Sequence, residues 1–127
     1  MLTLTLNLVV LYSHEPERLV KFYERLGLTF DRHRHGAGAE HHAAELPGGT
    51  VFEIYPAKPD EAATRVRLGF RVASVDDCVA ELAAHGVTVV SKPKDSERGR
   101  RAVVADPEGN RVELIEEAHE TTNGTGM

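Results

Sequence analysis

Residues 8–30 read LVVLYSHEPERLVKFYERLGLTF, and a related stretch, RLGFRVASVDDCVAELAAHGVTV, follows at residues 67–89. A second pair of matching stretches comes later in each half, where ELPGGTVFEIY at residues 45–55 corresponds to ADPEGNRVELI at residues 105–115. A long period that occurs only twice indicates a duplicated supersecondary unit rather than a solenoid. Such paired units usually build their site where they face each other, so the duplication bears on function as well as on fold.

Composition restricts the class of protein. The chain has 127 residues, of which 41% are hydrophobic and 28% charged, as is typical of one soluble globular domain. The formal charge of −5 argues against the basic surface that nucleic-acid binding requires. No signal peptide or run of about eighteen apolar residues is visible, and the single cysteine fits a reducing compartment. We therefore expect a cytoplasmic protein that binds neither nucleic acid nor membranes.

The residue pattern predicts the order β-α-β-β-β in each half. Pro16 suits the first turn of one helix and Gly27 its end, while Ser74 caps the other helix and Gly86 ends it. The strands of the first half are expected at residues 3–12, 28–35, 39–46 and 50–55. The strands of the second half are expected at residues 65–72, 87–90, 101–105 and 111–115.

The predicted organisation is therefore an α+β chain of two βαβββ modules. Residues 1–57 form the first module and residues 65–117 the second. The intervening sequence breaks the pattern, and residues 58–64 are interpreted as a linker. The small, polar residues 118–127 are expected to form a flexible tail.

Alternation along the strands separates an apolar face from a polar one. In the strand at residues 65–72 the apolar side chains should pack on the helix of their own module. The opposite face carries Arg65, Arg67 and Arg71, which require a wet cavity or a ligand site. The first strand is apolar on both faces, so its orientation stays open. The same alternation places Glu53 and Tyr55 on the polar face of the strand at residues 50–55. It places Arg111 and Glu113 on the polar face of the strand at residues 111–115.

The chain resembles the vicinal oxygen chelate superfamily in three features taken together. These are the paired modules, the motif FYERLGL at residues 22–28 and the motif DPEGNRVELIE at residues 106–116. The superfamily is the glyoxalase, bleomycin-resistance and extradiol-dioxygenase group, and the resemblance covers residues 4–116. It implies two curved mixed sheets with cup-shaped sites. It also implies a homodimer with cups shared between subunits.

The resemblance also implies metal positions: a histidine in strand one, a glutamate in strand four, a histidine or glutamine in strand five, and a glutamate in strand eight. The matching residues here are Leu8, Glu53, Arg67 and Glu113, so both acids are kept and both nitrogen ligands are lost. A catalytic metal normally needs three protein ligands, and arginine does not coordinate. At about 4 Å a guanidinium would repel a divalent ion by about 8 kcal/mol at an effective dielectric constant of about 20. We expect no metal, with Arg67 bridging Glu53 and Glu113 in its place.

The candidate site is a ligand-binding cup, and no catalytic residue is assigned. Its arginines indicate either an anionic ligand, such as a carboxylate or phosphate, or a rim exposed to water. Its tyrosines either stack on an aromatic ligand or fill the cup. The proposed cup residues are Leu8, Tyr12, Glu53, Tyr55, Arg67, Arg71, Arg111 and Glu113.

A histidine-rich hairpin offers a second candidate site. If a two-residue turn joins its strands, His35 lies opposite Glu40 and His33 opposite His42. Such a cluster is either a transition-metal site or a solvated surface, and we favour the solvated surface because this is not the family's metal position.

Two further features have simple structural explanations. Cys78 lies within a helical apolar stripe, which predicts core packing rather than a nucleophile. The charged segment at residues 92–101 is predicted to be a loop, either a solvated connection or a segment that closes over a ligand.

Three functions agree with these patterns. The leading hypothesis is a metal-free protein that binds a small organic molecule, as bleomycin-resistance proteins do. The second is an enzyme: a metal-dependent lyase, isomerase or dioxygenase using Glu53, Glu113 and one recruited histidine, with the metal as Lewis acid. A metal-free general base at either glutamate is disfavoured, since an adjacent Arg67 would lower its pKa. The third is a partner or immunity module without a ligand pocket.

Overall fold

The computed structural model describes residues 3–34 and 36–116. The order β-α-β-β-β occurs twice, which confirms the predicted fold. The predicted tail at residues 118–127 lies outside the described residues. The first half comprises β1 (Leu8–Ser13), α1 (Pro16–Arg25), β2 (Asp31–His33), β3 (His41–Glu45) and β4 (Val51–Pro56). The second half comprises β5 (Arg67–Arg71), α2 (Val75–Ala84), β6 (Val89–Ser96), β7 (Gly99–Ala105) and β8 (Arg111–Glu116).

The chain divides into two compact units between Arg65 and Val66. The sheet of the first unit has the strand order β1-β4-β3-β2, and that of the second has the order β5-β8-β7-β6. In each sheet the first pair is parallel and the other two are antiparallel. Neither described helix, each of ten residues, is long and apolar enough to span a membrane.

The core of the first unit lies between α1 and one face of its sheet. Leu19 and Tyr23 recur at helical spacing and are buried, as are Leu11, Phe52 and Ile54 of the strands. The Tyr23 and Phe52 rings meet edge to face, with centroids 4.9 Å apart. Burial of Leu11 settles the orientation of the first strand, because its even-numbered side chains must then point away from the helix.

The core of the second unit repeats this arrangement. Val75 and Leu82 of α2 are buried, and so are Val112 and Leu114 of β8. The predicted cap is present, since the Ser74 hydroxyl accepts a hydrogen bond from Asp77 N at 3.1 Å. Cys78 is half-buried, and burial, followed by the charges of Asp77 and Glu116, raises the pKa of its thiol. A raised pKa is the opposite of what a nucleophilic thiol needs.

The charged segment at residues 92–101 is a hairpin of β6 and β7, so the prediction of a loop was wrong. Cross-strand neighbours of opposite charge stabilise it, because Asp95 pairs with Arg100 in the register and their side chains are bonded at 3.0 Å. Pro93 lies where the register shifts between Ser91 and Lys94, a position at which a strand tolerates proline.

Arg100 also ties this hairpin to α2. Its Nε and Nη2 donate to the two carboxylate oxygens of Asp76, at 2.7 and 3.1 Å. The hydrogen bond from Arg100 lowers the pKa of Asp76. Among the other predicted strands, the first two of the first half differ most: β1 begins at Leu8 rather than at residue 3, and β2 is limited to Asp31–His33 rather than residues 28–35.

Candidate functional site

The sheet of the first unit has one face away from α1, which we call the Glu53 face. The parallel register places Leu8 beside Val51, and Tyr12 beside Tyr55. Glu53 lies between these two pairs on the same face, next to Val10. Four predicted cup residues, Leu8, Tyr12, Glu53 and Tyr55, are therefore brought together on this face.

Four aromatic rings cross the Glu53 face in a line, which we call the ring row. Each strand contributes one ring, in the order Tyr12, Tyr55, His41 and His33. Successive centroids are 5.7, 4.1 and 6.0 Å apart, and the Tyr55 and His41 rings are nearly parallel at 8°. Sequence reasoning included the two tyrosines but missed His41, although its position beside Tyr55 follows once the β3–β4 register is known.

Glu53 lies next to the ring row in a largely buried position. Its side chain is 18% exposed, and its Oε2 atom is 3.7 Å from Nε2 of His41, which is too long for a hydrogen bond. The Nδ1 atom of His41 is 3.2 Å from the carbonyl oxygen of Ala39. Partial burial, followed by the charge of Glu53 and the neighbouring Tyr12, raises the pKa of Tyr55.

The predicted pairing of the histidine hairpin was wrong by one residue. His33 lies opposite His41, and His42 lies opposite Arg32. Because a one-residue shift in register moves a side chain to the other face, His42 points to the helix side, where its Nε2 is 4.0 Å from Glu17 Oε2. The turn at Gly36, where φ is 58°, is wider than the predicted two-residue turn. The predicted pairing of His35 lies outside the described residues.

The second unit has a matching face away from α2, which we call the Glu113 face. The register places Arg67 beside Arg111, Gly69 beside Glu113, and Arg71 beside Ile115. The four predicted cup residues of this unit, Arg67, Arg71, Arg111 and Glu113, therefore share one face, and the three arginines are exposed.

The cation that binds Glu113 is Arg101. Its Nε atom donates to Glu113 Oε2 at 2.7 Å, and the two side chains are 29% and 30% exposed. Arg67 makes no ion pair or side-chain hydrogen bond with the residues that the structure describes. The predicted contact of Arg67 with Glu113 was therefore wrong. The sequence pattern placed Arg101 at the start of a strand without fixing its face, so this partner was missed.

A pocket of about 420 Å³ adjoins the Arg101–Glu113 pair. Gly69 adds open space on the same face, since a Cβ atom there would lie 4.0 Å from the Cβ of Glu113 and within 4 Å of little else. The pocket is lined by Ser96, Glu97, Arg98, Arg101, Glu113 and Ile115.

The residues at the family's metal positions do not fit a catalytic divalent ion. In the first unit the two positions carry Leu8 and Glu53, and in the second they carry Arg67 and Glu113, whose oxygen is bonded to a guanidinium. Among the described residues no three His, Cys, Asp or Glu side chains are placed to hold a metal ion.

Comparison with known proteins identifies the family. A family model described as the Glyoxalase/Bleomycin resistance protein/Dioxygenase superfamily matches residues 5–114. An uncharacterized protein of Mycolicibacterium smegmatis is 35% identical over 105 residues, which are 82% of this chain and 86% of that protein.

Solved structures share the fold. TnmS3, an antibiotic binding protein from Streptomyces sp. CB03234, is 24% identical with a TM-score of 0.72 over 93% of this chain and 99% of its own. TioX from Micromonospora sp. ML1 is 21% identical with a TM-score of 0.69 over 90% of this chain and 99% of its own. The resemblance seen in the sequence is thus confirmed, and the chain belongs to the glyoxalase/bleomycin resistance protein/dioxygenase superfamily.

Proposed function

We propose that this protein binds a small organic anion on the Glu113 face without the help of a metal. The observation that carries the proposal is the Arg101–Glu113 ion pair, which neutralises the acid of this face. Arg67, Arg71 and Arg111 then leave the face with an excess of positive charge. Guanidinium groups suit carboxylates and phosphates, because their planar forks donate two parallel hydrogen bonds.

The pocket supports a ligand of drug-like size. Its volume of about 420 Å³ lies within the usual range for such sites. Ile115 supplies an apolar surface, and Gly69 leaves room beside Glu113. TnmS3, which shares the fold, is described as an antibiotic binding protein, so the fold accommodates small organic ligands in at least one other chain. Binding of this kind needs burial and complementary charge but no bond-making residue.

The test compares two probes of nearly the same shape, the anion 2-naphthoate and its neutral amide, in calorimetric titrations of the full chain. We expect the carboxylate to bind at least about tenfold more tightly, and added salt to reduce the difference. Arg111→Met is expected to weaken carboxylate binding about tenfold. Gly69→Val should abolish it by filling the space beside Glu113, since Gly69 does not have a left-handed φ and tolerates a side chain.

The matched control is Arg25→Met, which removes an exposed arginine from α1 of the first unit and should leave the affinity unchanged. Equal affinities for the carboxylate and the amide would exclude an anion site. Wild-type affinity in both Arg111→Met and Gly69→Val would show that binding occurs elsewhere.

The metal-dependent enzyme is the second candidate, and the 3.7 Å approach of His41 to Glu53 is the observation that favours it. A histidine beside a family acid is the arrangement that a recruited ligand requires. Elemental analysis of the purified protein separates the two candidates. One tightly held iron, zinc, manganese or nickel ion per chain, lost on Glu53→Gln, would replace the metal-free proposal.

We also propose that the protein is a cytoplasmic homodimer. The single cysteine suits a reducing compartment. Leu4, Leu6 and Leu8 are exposed at 97%, 68% and 49%, and an exposed apolar stripe of this kind marks a surface that another protein covers.

A further inference from the structure

We propose that the ring row on the Glu53 face binds a planar aromatic cation. This inference concerns the first unit alone and does not rest on the proposed anion site of the second. The row consists of Tyr12, Tyr55, His41 and His33, with one ring from each strand of the sheet. Rings in such a row stabilise the sheet, but three further observations indicate a ligand.

The ring row is fixed in its middle and open at one end. His41 is buried, and its ring stacks on Tyr55 with centroids 4.1 Å apart. Tyr12 is 45% exposed on the edge strand β1, and its ring is inclined by 40° to that of Tyr55. The two tyrosine rings therefore diverge, and the Tyr12 ring offers an accessible surface on which a flat ligand stacks in an offset arrangement.

The carboxylate beside the ring row has no strong cationic partner. Only 18% of the Glu53 side chain is exposed, and His41 Nε2 approaches it no closer than 3.7 Å. A largely desolvated carboxylate favours the binding of a cation, because its own hydration has been lost. Tyrosine faces carry a negative quadrupole that attracts the same charge.

The rest of the Glu53 face has the same sign of charge. The register places Asp31 and Glu45 on it, in line with Ala43 and Val51. Within the four strands of the first sheet, β1 to β4, Arg32 is the single Lys or Arg. It points to the other face, where it approaches Glu17 and Glu40. A cationic ring is therefore favoured over a neutral ring of the same shape, and an anionic ring is disfavoured.

The two family acids consequently differ in what they can bind. Glu113 is neutralised within the protein by Arg101 at 2.7 Å, whereas no Lys or Arg among the described residues pairs with Glu53. Glu53 of the first unit is therefore available to pair with a cationic ligand, whereas Glu113 of the second unit is already paired with Arg101.

The test is a fluorescence titration of the full chain with 9-aminoacridinium and, as its neutral counterpart, acridine at mildly alkaline pH. We expect the cation to bind at least about tenfold more tightly than acridine, and tetramethylammonium, which lacks the flat ring, to compete weakly. Glu53→Gln should weaken cation binding about tenfold and leave acridine binding nearly unchanged. Tyr12→Leu should weaken binding of both acridines, and Tyr12→Phe, which keeps the ring, should retain most of the affinity.

Glu24→Gln, which removes a carboxylate from the exposed side of α1, is the matched control and should leave every affinity unchanged. Equal binding of cation and neutral acridine, or wild-type affinity in Glu53→Gln, would overturn the proposal. Because Glu53→Gln keeps the shape of the side chain, it serves as the test even if Tyr12→Leu does not fold. If the wild-type protein binds acridinium but not naphthoate, only the anion site of the second unit is contradicted. If it binds naphthoate but not acridinium, only the aromatic-cation site of the first unit is contradicted.

Discussion

At the scale of single residues, the molecule shows how two copies of one position diverge. Glu53 and Glu113 occupy matching places in the repeat and matching places in their sheets. Arg101 donates to one of them, and a histidine lies beside the other. The nature of the neighbour, rather than the acid itself, decides what charge each face presents.

The first prediction compares two of the arginines on the Glu113 face, Arg101 and Arg67. Arg101→Met should lower the free energy of unfolding by about 1–2 kcal/mol, because it leaves the half-buried Glu113 carboxylate without its charged donor. Arg67→Met should change it by less than about 0.5 kcal/mol, since Arg67 is exposed and pairs with no described side chain. Urea denaturation measures the free energy of unfolding of both variants, and the comparison with the wild type holds when the m-value is unchanged. Similar losses in the two variants would mean that Arg67 also binds the acid.

At the scale of elements, the turn before the last strand of each unit is the clearest product of the duplication. Asp106 N donates to Asn110 O at 2.9 Å, and in the first unit Leu46 N donates to Thr50 O at 2.8 Å. Gly49 and Gly109 both have positive φ, 98° and 89°. The side chain at the end of each turn reaches the chain before the first strand of its own unit. Thus Asn110 Oδ1 accepts from Val66 N, and the Thr50 hydroxyl donates to Leu6 O.

The second prediction compares these two side chains. Asn110 is buried, and its amide group also donates to Asp106 Oδ2 at 3.0 Å, so Asn110→Ala leaves polar groups without partners. We expect a loss of about 2–3 kcal/mol in the free energy of unfolding. The hydrogen bond of Thr50 is exposed, and Thr50→Ala should cost about 0.5–1 kcal/mol. Chemical denaturation of both variants checks the order, and a larger loss for Thr50→Ala would contradict it.

These elements also show where sequence reasoning succeeds. The helices were predictable because Pro16, Ser74 and the closing glycines act locally, within one or two turns of chain. Glu53, Tyr55, Arg111 and Glu113 could be placed on the right face because strand alternation is also local.

Properties set by pairing between strands were not predictable. The register of β2 on β3 depends on the width of one turn, and an error of one residue exchanged His41 for His42. The Arg101–Glu113 bond joins neighbouring strands whose alignment the residue types do not encode. The strand segment at residues 92–96 has no hydrophobic side chain other than Pro93, so no hydrophobic period marked it.

At the scale of the whole molecule, the proposed homodimer rests on the edge strand of the first sheet, β1. Hydrogen bonds with Thr64 occupy both N and O of Tyr12 at its end. Its other end continues into the exposed stripe of Leu4, Leu6 and Leu8. Three exposed leucine side chains that lie along the edge of a sheet favour association with a second copy of the chain.

The third prediction follows from this surface. Sedimentation equilibrium should give twice the chain mass of 13.9 kDa, and Leu6→Asp should yield the single-chain mass because it places a charge in the stripe. Val90→Asp, at a position 41% exposed in the second unit, is the control and should leave the mass unchanged. A wild-type protein that sediments as a monomer would contradict the homodimer.

The ring row has a practical consequence for spectroscopy. The chain contains three tyrosines and no tryptophan, so ultraviolet emission comes from tyrosine alone. Tyr23 is sealed in the core, while Tyr12 and Tyr55 belong to the row. Quenching of the native emission by a solute therefore reports encounters at that one surface, and the protein supplies its own optical label for a search through candidate compounds.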